Sequence, residues 1–326
     1  MKRRPELVCA TLIALIILLT FVGICVGSVR ITISDIIRAV FSPNSIGRNT
    51  AYIIRNLRIP RVLASIVTGA ALALCGLVFQ SVFRNPMADS YVLGISSGAS
   101  FSVGLGFVLG ISYADVSLPV VAFIGSMLTT ALLFAISRKN TSSLLLSGIS
   151  LNFLLSALTT LTIYLSDRQA ENILFWTLGS LGNSSWTRLL ILSVVTLFAT
   201  IFVFGNNNAM DLLLLDDSTA ISSGLNVKKT RIILLVVASV VTATVVCFSG
   251  IIGFVGLMSP HFLRILVGPK HKRLIPLSMM MGSVILLFSD IVCRFIVPPS
   301  ELPIGIVTSI LGAPVFMMLL RRRRRF

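Results

Sequence analysis

Asp290 and Arg294 stand four residues apart in LLFSDIVCR, within a run that is otherwise apolar. At that spacing on a helix the two side chains meet. A carboxylate in apolar surroundings needs such a partner, and the two read as a structural ion pair. The competing reading of an intramembrane acid is a site for a coupling proton or sodium ion. Other reactive side chains are sparse. His261 and His271 are the only histidines. They are too few for a zinc site, and neither lies in an H-E-x-x-H pattern. His261 reads as a hydrogen-bonded structural residue. Cys9, Cys25, Cys75, Cys247 and Cys293 all fall in apolar stretches and form no C-x-x-C, so they read as small buried hydrophobes. Lys229-Thr230 resembles the end of a phosphate-binding loop but lacks the glycines before it. The residues therefore point away from an enzyme, a metal centre and a resident cofactor. A lipid-modifying enzyme would need paired polar residues at one membrane depth, and none stand out.

The elements that must carry these few groups are apolar. Of 326 residues 56% are hydrophobic and only 12% charged, roughly half the charge of a soluble domain. The natural solvent is a bilayer, and a span needs about 20 apolar residues. Uncharged runs predict ten spans, at Leu7–Val29, Val62–Phe83, Tyr91–Gly110, Leu118–Ser137, Thr141–Leu165, Leu189–Phe204, Ile232–Ser249, Phe254–Leu266, Leu274–Val297 and Ile304–Leu320, the eighth unusually short. The expected fold class is an all-α integral membrane protein with one transmembrane domain over residues 1–326. The first apolar run is long enough to span and has no A-x-A-like cleavage site, so it is kept as a span and not a signal peptide. The net charge of +16 would point to nucleic acid in a soluble protein. Here most Lys and Arg fall in alternate loops, among them the first six residues, Arg138 and Lys139, Lys228–Arg231, Arg264–Arg273 and the terminal RRRRR. That bias predicts both termini in the cytoplasm, with the basic tail held against anionic lipid and no nucleic acid as partner.

Between spans, ISDIIRAVF has helical spacing of apolar residues, with Ser34 as its expected N-cap. ENILFWTLGSLGNSSW is too short and glycine-rich to span and fits a half-helix at the outer face. The longest inner loop, about residues 205–230, contains DDSTAISSG, with acidic residues ahead of Gly224, the pattern of a short capped helix able to dock a partner. TGAALALCG sets Gly69, Ala73 and Gly76 on one face, and Gly94 and Gly98 show G-x-x-x-G spacing; these read as tight helix packing, with pathway lining as the alternative. Gly250, Gly253 and Gly256 loosen the chain after the seventh span, and Pro260 weakens the short eighth, so Gly253, Gly256 and Pro260 are expected to act as a gate or hinge. On the outer side Arg55, Arg58 and Arg61 crowd the start of the second span, and Arg294 lies near the outer end of the ninth. They read either as lipid-headgroup contacts or as a socket for an acidic partner.

LRIPRVLASIVTGAALALCGLVFQSVFRNPMADSYVLGISSGAS, GFVGLMSPHFLRILVGPKHKRLIPLSMMMGSVILLFSDIVCRF and ELPIGIVTSILGAPVFMMLLRR resemble the FecCD-type permeases, from about Leu57 to Arg321. These are membrane subunits of ATP-driven importers of ferric siderophores, haem and cobalamin in the bacterial cytoplasmic membrane. The resemblance implies the type II ABC importer permease fold, with two permease subunits, identical or homologous, around a central pathway. It further implies two cytoplasmic ABC ATPase subunits and an extracytoplasmic substrate-binding protein. By motif position it assigns binding-protein docking to Arg58, Arg61 and Arg294, and ATPase coupling to Asp217, Ala220 and Gly224, with Asp217 where the family often has Glu. Met87 and Ser90 depart mildly from the family pattern in NPMADS. Ferric siderophores are the cargo most often implied. An ion-coupled secondary transporter is the alternative, and it predicts uphill transport by this chain alone through Asp290.

Overall fold

A computed structural model describes residues 5–27, 29, 31–41, 46–90, 93–110, 117–137, 141–166, 169–297 and 300–323. Tyr91, Arg138, Lys139, the basic residues Lys2, Arg3 and Arg4, and Arg324 and Arg325 lie outside the described residues. The rest is helical: α1 Pro5–Cys25, α2 Ile33–Phe41, α3 Arg48–Tyr52, α4 Ile59–Val82, α5 Ile95–Val108, α6 Ser117–Ile136, α7 Thr141–Leu165, α8 Ala170–Thr177, α9 Trp186–Gly205, α10 Asn207–Leu213, α11 Asp217–Ser222, α12 Val227–Ser249, α13 Val255–Val267, α14 His271–Ile296 and α15 Ile304–Arg323.

Each of the ten predicted spans has its helix. Seven are long and apolar enough to cross a membrane, and shorter apolar helices occur at Ile95–Val108, Val255–Val267 and Ile304–Met317. The third was expected to begin at Tyr91, but α5 starts only at Ile95, because Gly94 before it takes a left-handed φ of 77°. Its 14 residues make about 21 Å of helix, short of the roughly 30 Å hydrocarbon layer.

Two further expectations need correction. The cap of α2 is Thr32 and not Ser34. Asp35 N–H donates to Thr32 Oγ1 at 3.3 Å, and Thr32 N–H donates to the Asp35 carboxylate at 3.2 Å, a reciprocal capping box. The second span also begins well before Val62, its expected start. α3 runs through a π-helical stretch, Ile53–Arg58, straight into α4. Pro60 has no N–H and would crowd the carbonyl one turn earlier; the wider π turn just before it relieves that crowding.

α4 is the hub, contacting α14, α12, α13 and α9. Its small residues permit backbone contact with two partners. A Cβ at Gly69 would lie 2.3 Å from the Gly282 carbonyl oxygen of α14, and one at Gly76 would lie 1.9 Å from that of Gly256 in α13. Gln80 Nε2 adds a 2.9 Å bond to the Leu257 carbonyl. The packing reading of TGAALALCG holds. Of the G-x-x-x-G pair, Gly98 packs against Gly125 and Thr129 of α6, while Gly94 makes the turn and faces α7, where a Cβ would lie 3.4 Å from Asn152 N and the Gly148 oxygen.

Candidate functional site

At the end that the charge bias assigns to the outside, α1 stops at Cys25 and leaves carbonyls without intrahelical partners. Two buried arginines supply them. Arg58 Nη1 donates to the Ile24 and Cys25 oxygens at 2.8 and 2.9 Å, and its Nη2 donates to Val29. Arg294 Nη1 donates to Gly23 and Val26 at 2.8 and 2.9 Å. Their positive charge also suits the negative end of the helix dipole. Arg61 faces the opposite way. Its Nε donates to Asp290 Oδ1 at 2.9 Å, and its Nη1 donates to both Glu301 oxygens at 2.9 and 2.8 Å. Arg294 Nη2 lies 2.8 Å from Asp290 Oδ2, so the predicted i, i+4 pair is present, and Arg61 extends it to a network. The Asp290 side chain is 1% exposed, Arg61 11% and Glu301 44%. Glu301 borders a cavity of about 240 Å³ with Asn172, Phe175, Ser180 and Pro303. The half-helix α8 ends there: Ser180 N–H donates to Ser249, and Ile304 and Gly305 donate to Gly179 and Leu178. Three irregular segments thus satisfy one another's backbone groups.

The residues assigned to docking, Arg58, Arg61 and Arg294, therefore converge, but all three are engaged within the chain. Sequence reasoning missed the link from Arg61 to Asp290 and Glu301. The available signal was charge balance, since Asp290 and Glu301 are the acids nearest three arginines in an apolar setting.

Gly253, Gly256 and Pro260 do not form one loose segment. Gly253 lies in the non-helical link between α12 and α13, with open space around it. The link turns on left-handed residues, Gly250 at φ 67° and Phe254 at φ 68°. Gly256 is clamped, since its Cβ would meet the Leu72 carbonyl at 2.7 Å. Pro260 is buried inside α13. His261 is also buried, edge-on to the Phe316 ring.

At the end that the same bias assigns to the inside, α11 is the predicted short helix. The Asp216 carboxylate caps it, accepting from Thr219 N–H at 3.0 Å and from the Ser218 and Thr219 hydroxyls, and these bonds hold its pKa down to about 2. Asp217 accepts from Arg231 at 2.6 and 3.0 Å and from Arg84 at 2.5 Å. The Arg231 bonds are the main cause holding its carboxyl below the ordinary range, assisted by Arg84. Ala220 is buried against the core. Gly224, at φ 84°, closes the helix: Leu225 N–H reaches the Ala220 oxygen at 3.1 Å and Gly224 N–H the Ile221 oxygen at 2.9 Å. Asp217 and Ala220 thus lie in the six-residue helix that Gly224 closes, and Ile221 of the helix and Leu215 just before it stay exposed. Arg84 and Arg231 were not anticipated, because nothing in their spacing reveals a shared partner.

The chain matches the FecCD transport family over residues 15–322. It belongs to that family. It is 39% identical over 277 residues to the hemin transport system permease protein HmuU of Yersinia pestis, covering 82% of this chain and 83% of that one. It is 38% identical to a cobalamin import system permease protein BtuC of Halobacterium salinarum, over 83% of this chain and 74% of the relative. Identity to the Fe(3+) dicitrate transport system permease protein FecD of Escherichia coli is 34%, over 88% and 91%. A solved structure described as an inward-facing conformation of a metal-chelate type ABC transporter superposes with a TM-score of 0.85 at 30% identity, covering 98% of this chain and 99% of that one. The FecCD chain is a multi-pass membrane protein with the fold of that ABC transporter's membrane component.

Proposed function

We propose that this FecCD protein is the permease subunit of an ATP-driven importer that passes a ferric siderophore from an extracytoplasmic binding protein into the cytoplasm. The observation that carries the reading is α11: a capped, six-residue helix at the inner end, anchored to α4 and α12 through Asp217 and presenting an exposed Ile221. The chain has no nucleotide-binding motif, so a separate pair of ABC ATPases supplies the energy and presses on this helix. Relatives named for hemin, cobalamin and ferric dicitrate support a bulky chelate as cargo. Two permease chains enclose the pathway in the bacterial cytoplasmic membrane, with both termini in the cytoplasm, and movement centres on the link around Gly253 beside Gly256 and Pro260. Docking of the binding protein engages Arg61, whose partner Glu301 is the exposed member of the outer network, while Arg58 and Arg294 hold the α1 end in place beside it. The geometry of Asp290 weighs against an ion-coupled carrier, because both its oxygens already face arginines.

The test is reconstitution. The chain, its ATPase and its binding protein in liposomes take up labelled ferric siderophore with ATP and not without it; haem and cobalamin run in parallel decide the cargo. Uphill uptake by this chain alone on a proton or sodium gradient overturns the proposal.

A further inference from the structure

α10 is only seven residues long, yet Met210 and Leu213 are fully buried, and the element is fastened to two others. Arg84, just past α4, donates from Nε to the Leu213 carbonyl at 2.6 Å. Asp211 reaches the first residue of α14: its Oδ1 accepts from the His271 backbone N–H at 3.0 Å and lies 2.6 Å from ring Nδ1. Lys270, at the N-cap of α14, makes no side-chain cap, so Asp211 serves as that cap from another element. The opposite ring nitrogen, Nε2, is 2.6 Å from Ser81 Oγ in the last turn of α4. The His271 side chain is 0% exposed. A polar ring nitrogen buried without a partner is costly, so the ring is held to both neighbours at once.

We infer that Asp211, His271 and Ser81 form a positioning relay that carries displacement of the α10–α11 pair into α14 and α4 together. One residue joins three elements: the backbone of His271 belongs to α14, one ring edge holds α10 and the other holds α4. Serine, histidine and carboxylate in this order also occur in hydrolases. Here the Ser81 hydroxyl is wholly buried and donates to the Leu77 carbonyl at 2.8 Å, so the arrangement is mechanical. The relay links the coupling element to the pair of helices that touch at Gly69 and Gly282. This inference rests on the importer reading above.

The experiment uses the full reconstituted transporter and reads cargo molecules moved per ATP hydrolysed. Asp211→Ala lowers that ratio on the order of tenfold, the scale of one charge-assisted bond, while ATPase stoichiometry in the purified complex is unchanged. Asp211→Asn, which keeps an acceptor for the backbone N–H, recovers part of the ratio, and Ser81→Ala lowers it about threefold. If Asp211→Ala does not assemble, Ser81→Ala decides. A static staple would lower yield and Tm and leave the ratio of assembled complexes untouched; a wild-type ratio in assembled Asp211→Ala, or in Ser81→Ala where Asp211→Ala does not assemble, overturns the relay. A wild-type complex that imports nothing on ATP fails at the control, before any substitution, and counts against the importer reading instead.

Discussion

The two ends of this molecule use the same ion types in opposite ways. At the Asp290 end, Arg61, Asp290 and Arg294 are nearly dry, and Arg58 and Arg294 spend their donors on backbone carbonyls at the end of α1. At the α11 end, Asp217 also holds two arginines, but its side chain is 49% exposed. A buried pair that loses one partner leaves an uncompensated charge, whereas an exposed pair is screened by water. The Asp290 network is therefore a fixed joint, and the Asp217 one is a contact that can be remade at little cost.

Asp290→Ala is the sharpest way to break that contrast. It removes the carboxylate that two buried guanidiniums share, leaving Arg294 only neutral carbonyls and Arg61 only the half-exposed Glu301, and a loss of about 3–5 kcal/mol is expected, read as a large fall in thermal unfolding temperature in detergent. Arg61→Ala leaves Asp290 with Arg294 and costs about 1–3 kcal/mol; in the same variant binding-protein affinity falls, measured by co-sedimentation with proteoliposomes. Docking at wild-type strength would remove Arg61 from the socket.

Those residues also mark what was legible beforehand. Helix positions followed from uncharged runs, because lipid demands them. The i, i+4 spacing of Asp290 and Arg294 was readable for the same local reason. The bond from Arg61 to Asp290 joins positions far apart in sequence, and periodicity carries no information about such pairs. DDSTAISSG, with acids ahead of Gly224, was readable as a capped helix because capping is local, whereas Ala220 entered only through the family resemblance; the hold of Arg84 and Arg231 on Asp217 was not readable. The helix ahead of Val62 was missed because the span was placed by its uncharged run, and Arg55, Arg58 and Arg61 interrupt the apolar residues before it.

Smaller effects sharpen the inner side. Gly224→Ala forces a left-handed φ on an L residue in open space, so backbone strain alone sets the cost, about 1–2 kcal/mol, read as faster proteolysis in the 205–230 loop. Asp217→Asn changes Tm by less than about 1 kcal/mol equivalent while transport per ATP falls; a loss as large as that of Asp290→Ala would erase the distinction between the ends. The smallest effect concerns acid. Asp216 has its pKa depressed from 3.8 to about 2, so its cap is complete above the ordinary carboxylate range and is lost only as pH falls through about 2. Carboxyl infrared bands should show this group titrating last; titration near 4 would mean that the cap is absent.

The glycine contacts of α4 with α13 and α14 have a geometric consequence. Backbones in direct touch cannot slide without collision, so the three helices must turn as a unit. α4 has 24 residues, about 36 Å of rod. A rotation of about 5° at its C-terminal foot sweeps its far tip roughly 3 Å, enough to open or shut a seam between side chains without bending any helix.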